Sequence, residues 1–376
     1  MRHLTSRMLR PVAVLATGAV IATTLSTQAG AAPAGAAAKD RSAAWLERQL
    51  TDGLIHNDQF DFDDYGLTAD VGIGLDYIGG RHIGLDYIGG RHGAISEIAD
   101  VLAENVDNWT TFDSDIFAGS VAKAVVLAQS AERDPRSFGG VNLVRRLAAR
   151  VSDNAPYVGR IADKGESDFS NTIGQAFAAV GLADAGSPKA GPVLRFLLRQ
   201  QCSEGYFRLN FADKSKRRQG CDAGNADLSA PDTDVTALAV LVLNALPTQG
   251  PAVWRATDNA VDWLTGAQKR NGSFGGGPST EASNTNSTGL AAWALGDASA
   301  CRPAVKAARW VRDLQVRGDV SGTPLAGERG AIAYDKAAMA AAQADGITVE
   351  TRDQWRRATS QAAPALVFTT LRRCRR

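Results

Sequence analysis

Asp232-Thr233-Asp234-Val235-Thr236-Ala237 leads into an apolar run that continues to Leu246 and stops at Pro247. A short polar cluster followed by residues apolar on nearly every face describes a helix start and then a helix buried all round. Proline ends it, because it lacks a backbone N–H and clashes with the preceding turn. Five other segments share the plan: Thr68-Ala69-Asp70-Val71-Gly72, Ala118-Gly119-Ser120-Val121-Ala122, Ser170-Asn171-Thr172-Ile173-Gly174, Asn284-Thr285-Asn286-Ser287-Thr288-Gly289 and Ala333-Tyr334-Asp335-Lys336-Ala337. Anchored on their final small residues, they are spaced by 50, 52, 63, 52 and 48 positions, the period of a helical repeat.

Amphipathic segments alternate with these buried ones. In Ala304 to Val316, Ala307, Trp310, Val311 and Leu314 form one stripe while Lys306, Arg309, Arg312 and Asp313 face away. Counterparts lie near residues 43–50, 95–106, 141–151, 192–201 and 260–269. Six inner and six outer helices make the expected fold all-α, an α6/α6 ring spanning residues 32–376 as one domain.

Four of the outer segments carry a recurring pattern. Phe196-Leu197 is followed by Gln201, Gly205 and Phe207, and Trp263-Leu264 by Gln268, Gly272 and Phe274. Trp310-Val311 with Gln315 and Gly318 lacks the last aromatic, and Trp45-Leu46 with Gln49 and Gly53 is a degenerate copy. This pattern resembles the QW motif of the toroid shared by terpenoid cyclases and protein prenyltransferases. The resemblance implies an aromatic that locks one outer helix to its neighbour, a glutamine that satisfies free backbone groups and a glycine that permits the turn. It implies architecture, and chemistry has to be argued separately.

Class II terpene cyclases protonate their substrate with the middle Asp of DxDD. Asp232-Thr233-Asp234-Val235 lies where the resemblance places that motif, with Val at its fourth position. A carboxylate at a helix start meets free N–H groups and the positive dipole end, which lower its pKa, so Asp234 reads as a cap rather than an acid. Prenyltransferases need an Asp, Cys and His zinc set, and no His lies beyond His92. The CGEQ of thioester proteins is absent, Gln200-Gln201-Cys202-Ser203 standing in its place. No metal and no cofactor is therefore expected.

Parallel inner helices bring their starts to one rim. Ser120, Asp168, Asn171, Asp232, Asp234, Asn284, Asn286 and Asp335 converge there, with Tyr65, Tyr206 and Tyr334 nearby. These are the candidate ligand-binding residues, and Asp232 and Asp234 the weak catalytic candidates, since paired carboxylates can do acid and base work. Capping of free N–H groups is the competing role for each Asp, Asn and Ser. The expected function is a non-catalytic ligand-binding or surface-interaction protein. The alternative is an enzyme, terpene cyclase-like or glycosidase/polysaccharide lyase-like, using the rim acids.

The rest of the chain sets its compartment. Arg2, Arg7 and Arg10 precede an uncharged run to Ser26, and Ala29-Gly30-Ala31 offers a cleavage site, so residues 1–31 read as a secretory signal. No second long apolar run follows, which implies a secreted product without a membrane anchor. In an oxidising compartment Cys202 should pair with Cys221, flanking a polar insertion, and Cys301 with Cys374. The full chain has 376 residues, 41 Lys plus Arg and 40 Asp plus Glu. Its balanced charge argues against nucleic acid and leaves an apolar or glycan ligand and a monomer as the expectation.

Two features do not enter that reading. Asp58, Asp61, Asp63 and Asp64 lack the Gly and distal Glu of an EF-hand loop and read as a solvated loop. Residues 73–82, IGLDYIGGRH, are repeated letter for letter at 83–92. Ten residues turn a helix about 80° short of three full turns, so one copy should lie outside the packed part of the first inner helix.

Overall fold

The structure, a computed structural model, describes residues 37–79, 92–223 and 228–374. The expected signal segment and most of the second IGLDYIGGRH copy lie outside the described residues. In chain order the helices are α1 (Ala38–Glu47), α2 (Tyr65–Gly79), α3 (His92–Glu104), α4 (Val106–Thr110), α5 (Ala118–Ser130), α6 (Leu143–Ala148), α7 (Thr172–Asp184) and α8 (Ala190–Leu198). Then follow α9 (Thr233–Ala245), α10 (Pro251–Ala267), α11 (Thr285–Asp297), α12 (Cys301–Asp313), α13 (Lys336–Asp345), α14 (Val349–Ala362) and α15 (Leu371–Cys374). Two antiparallel hairpins, β1–β2 (His56–Asn57, Phe62–Asp63) and β3–β4 (Thr111–Phe112, Asp115–Ile116), precede α2 and α5.

The inner ring runs α2, α5, α7, α9, α11, α14 and back to α2, each packed on the next. α3, α6, α8, α10 and α12 back α2, α5, α7, α9 and α11 in turn, while α1 packs on α2, on α14 and on the 3-10 turn Ala363–Phe368. All six expected outer segments are helices. The first five inner segments are inner helices.

The sixth is a correction. Asp335 does cap a helix, accepting from Ala338 N at 2.8 Å, but α13 buries only Ala342. Its sequence, KAAMAAAQAD, has little apolar surface to bury. The sixth inner position belongs to α14, whose Trp355, Ala358, Thr359 and Ala362 are buried. Its charges hid it from the pattern: Arg356 pairs with Asp58 at 3.0 Å, Arg352 with Glu328 at 3.0 Å and Arg357 with Asp353 at 2.8 Å and with Asp64. Paired in this way, long cationic side chains can line a packed interface.

Small residues set how closely inner helices approach. A Cβ on Gly289 of α11 would lie 2.4 Å from the Ala362 Cα of α14, and one on Gly174 of α7 would lie 2.9 Å from the Gly119 Cα of α5.

The glutamines of the repeat join outer helices to each other. Gln201 donates from Nε2 to Ala256 O in α10 at 2.8 Å, and Gln268 to Pro303 O in α12 at 3.0 Å. Gln315 closes the ring, donating to Ala38 O in α1 at 2.8 Å and to the Ser42 hydroxyl at 2.6 Å. Gly205 and Gly272, at φ +104° and +96°, follow the first two, and a Cβ there would lie 2.5 Å from Asn259 O and 2.8 Å from Lys306 O. Only glycine meets both demands, positive φ and contact with the neighbouring backbone.

Both expected cysteine pairs are present, with Cα separations of 4.9 Å for Cys202–Cys221 and 5.4 Å for Cys301–Cys374. The second closes the longer loop, 73 residues against 19, so its removal by paired Ser substitutions should destabilise more, about 4 against about 3 kcal/mol. Denaturant unfolding of the two variants checks the order. Gly289→Ala should lose about 1–3 kcal/mol by overpacking. Gly266→Ala, in exposed helix with nothing within 4 Å of the added methyl, should gain about 0.5–1 kcal/mol. Thermal midpoints moving in opposite directions check this pair.

Candidate functional site

The inner helices α2, α5, α7, α9 and α11 begin at one rim, where most of the sequence-predicted residues are occupied in local structure. Asn171, Asp232 and Asn284 are N-caps, accepting from Gly174 N, from Asp234 N and Val235 N, and from Ser287 N. Asp168 binds Arg160 at 3.3 Å and Lys214 at 2.7 Å, and accepts from Ser170 Oγ at 2.6 Å. Burial raises its pKa, and Lys214 and Ser170 outweigh that and leave it lowered. Tyr206 donates to Ser229 O at 2.8 Å and packs against Trp263 beside the Cys202–Cys221 bridge. Tyr65 reaches Asn105 at 3.4 Å. Ser120 lies in the first turn of α5, and Tyr334 accepts from Thr285 through its carbonyl.

The acid pair divides its roles. Asp232, not Asp234, is the cap, which corrects the assignment made from sequence. Asp234 sits one residue inside the helix, and its Oδ1 is shut off from solvent with no hydrogen-bond partner among the described residues. Burial pushes its carboxyl up to about 6, against a lowering contribution from Ser287. Asn286 Oδ1 is likewise buried without a partner. Gly276 and Gly277 fold over the pair: a Cβ at Gly277 would lie 2.4 Å from Asp232 Oδ2, and one at Gly276 would lie 2.9 Å from Asp234 Oδ2. Asp232 receives the N–H groups of Asp234 and Val235, which lower its carboxyl, but burial outweighs them and leaves it raised as well.

The acidic run is structural as well. Asp64 accepts from Leu67 N at 2.8 Å at the start of α2, Asp63 binds His56 at 2.9 Å, and Asp58 and Asp64 hold the arginines of α14.

The opposite mouth holds a cavity of about 530 Å³ that sequence reasoning did not find. Its residues recur at fixed distances from the helix starts Asp64, Phe117, Asn171, Asp232 and Asn284. Nine residues on stand Ile73, Val126, Val180, Leu241 and Trp293, and thirteen on stand Tyr77, Ser130, Asp184, Ala245 and Asp297, all in its lining. Positions four apart share a helix face, and here that face is the lumen. Tyr77 and Trp293 meet with ring centroids 4.5 Å apart, and Tyr77 reaches Asp297 Oδ1 at 3.5 Å. Burial pushes the Tyr77 phenol far above its ordinary value. The Trp293 indole nitrogen is buried without a hydrogen-bond partner among the described residues. The signal that could have found this site was the offset from each cap, which needs the helix starts to be known to one residue.

Six residues on from the same starts, one turn nearer the first rim, stand Asp70, Lys123, Phe177, Leu238 and Leu290. Lys123 binds Asp70 at 2.7 Å and lies 5.8 Å from the Phe177 ring centre, so this layer ties α5 to both of its inner neighbours, α2 and α7.

No protein-family model matches the chain. No curated protein matches it either. Solved structures do. A type II terpene cyclase, MstE from Scytonema, is 15% identical over 88% of this chain and 96% of its own, with a TM-score of 0.56. An unsaturated glucuronyl hydrolase from Bacillus sp. GL1 is 12% identical over 88% and 97%, with a TM-score of 0.58. The fold is an α/α toroid. A protein from Actinoplanes shares it at 17% identity over 90% and 99%, with a TM-score of 0.55. Identities this low establish the toroid and leave its chemistry to the residues of this chain.

Asp234 gives a test of the acid pair. Its folded pKa of about 6 lies above the ordinary 3.8, so the folded state holds an extra proton between those values. The stability this proton confers is present at low pH and lost as pH rises through about 6. Asp234→Asn should therefore be more stable than the original at pH 7, by up to about 3 kcal/mol, with the advantage fading by about pH 4. Unfolding curves across this range check it, and a pH-independent difference would contradict it.

Proposed function

We propose that this toroid is an exported, monomeric, non-catalytic binding protein that takes a small apolar-bodied ligand into its lumen. The observation that carries this is the cavity, whose walls are built from Ile73, Val126, Phe177, Val180, Leu238 and Leu241 with the tilted ring pair Tyr77 and Trp293 at one side. A volume of about 530 Å³ falls within the range of small-molecule pockets, and an apolar lining with few polar groups is their usual composition. Two disulfides and the absence of any helix long and apolar enough to cross a membrane, among the described residues, are compatible with export. The fold itself does not choose a ligand, since it serves both a terpene cyclase and a glucuronyl hydrolase.

A second reading, an enzyme using rim acids, rests on Asp234. A carboxyl raised to about 6 is a usable proton donor near neutral pH, and it lies on the same face of α9 as Leu238, one turn away.

Leu241→Trp should fill the cavity and abolish ligand capture with the fold retained, at about 1–3 kcal/mol of stability. Native mass spectrometry of the exported protein and the variant checks this. The expected result is a small molecule that accompanies the original chain and is absent from the variant. Turnover that disappears in Asp234→Asn would favour the enzyme reading instead.

A further inference from the structure

We propose that the insertion between Cys202 and Cys221 is a docking surface for an anionic lipid bilayer, met by Lys216, Arg217 and Arg218 with Phe169 and Val158 beside them. This surface is separate from the lumen cavity. The insertion makes one repeat spacing 63 positions where the others are 48 to 52, and a loop added to one unit of a repeat architecture is a common place for binding. It is braced as a rigid element. The disulfide closes its base, with Cα atoms 4.9 Å apart, and the buried Gln219 donates from Nε2 to Lys216 O at 2.8 Å and to Asp213 O at 3.1 Å. Arg160 donates to Gln219 Oε1 at 3.2 Å and to Ala212 O at 3.0 Å, which ties the loop to the segment before α7. The cations at its tip are therefore held in place before any partner arrives.

The charge at that tip is not neutralised within the chain. Between the two cysteines lie five cations and two acids. Arg208 is fully buried on Gln200 and Gln219, and Lys214 is paired with Asp168 at 2.7 Å. Lys216, Arg217 and Arg218 are exposed and make no ion pair among the described residues. Asp213, the acid beside them, accepts from Ser215 N at 2.6 Å and leaves one acid against three cations. Exposed apolar side chains adjoin this tip. Lys214 is held by Asp168 and, through its carbonyl, by the Tyr157 hydroxyl. The residue after each holder is apolar and exposed, Phe169 at 71% and Val158 at 39%. On the Phe169 loop, Lys164 and Glu166 are both exposed and offset each other. A soluble polyanion would answer the cations alone. A bilayer answers both features, since its phosphates overlie hydrocarbon within reach of a ring.

The test is flotation of the full exported chain with vesicles of phosphatidylcholine, alone or mixed with phosphatidylglycerol, alongside titration with soluble polyphosphate. Capture is expected only on the mixed vesicles and should weaken as salt rises. Lys216→Gln combined with Arg217→Gln and Arg218→Gln should lower vesicle affinity about a hundredfold, at about fivefold per cation. Phe169→Ser should lower it about tenfold and leave polyphosphate affinity unchanged. All four side chains are exposed, so the variants should keep the fold, which circular dichroism checks. Equal capture by both vesicle types would overturn the electrostatic docking. Vesicle affinity unchanged in Phe169→Ser would overturn lipid as the partner in favour of a soluble polyanion, and capture by neither vesicle would overturn the docking surface altogether.

Discussion

A glutamine amide that reaches from the end of one outer helix to a carbonyl of the next is the contact on which the rest depends. Gln201, Gln268 and Gln315 each make it, and in the last case the bond joins the last outer helix to the first, α12 to α1. Each accepting carbonyl lies in the first two turns of its helix, where the backbone already uses one lone pair, so the amide adds a second donor to it, a bond worth about 0.5–1.5 kcal/mol net. Because each bond fixes the spacing between neighbouring outer helices, the inner helices inherit their positions. The glycine that follows lets the chain turn inward against the neighbour's backbone, so the next inner helix starts at the same level as the last.

Equal starting levels make the inner helices parallel and in register, and this separates the two rims chemically. At the first rim, N–H groups are met by Asn171, Asp232 and Asn284, and the Lys123–Asp70 ion pair lies one layer beyond them. At the second, carbonyl ends and carboxylates surround apolar walls. A search for chemistry by residue type is drawn to the first rim, because Asp, Asn and Ser gather where helices begin.

That bias explains what was legible in the sequence. The outer helices and five inner ones could be read from periodicity, since Val235 to Leu246 is apolar on all sides and Ala304 to Val316 on one. α14 could not, because Arg352, Arg356 and Arg357 look solvent-facing until Glu328, Asp58 and Asp64 are placed beside them by distant parts of the chain. Asp234 was misread for a related reason. Composition places an acid near a helix start, but which of two acids receives the N–H groups depends on the backbone turn at Asp232, and the glycine loop over them comes from another repeat. Disulfide pairing was legible because each bridge closes a segment whose ends the repeat already brings together.

The cavity follows from helix geometry more than from any single residue. Every Cα–Cβ bond in a helix tilts toward its N-terminus, so in a ring of parallel helices all inward side chains lean the same way. The lumen is therefore crowded toward the first rim, where Lys123, Phe177, Leu238 and Leu290 fill one layer, and under-filled toward the second. Filling the second mouth would take large side chains thirteen residues after the caps. Four of the five positions hold Ser130, Asp184, Ala245 and Asp297, and only Tyr77 is large. Small or acidic residues at the least crowded level of the lumen keep open a space at the C-terminal ends of the inner helices, so the cavity follows from one parallel arrangement.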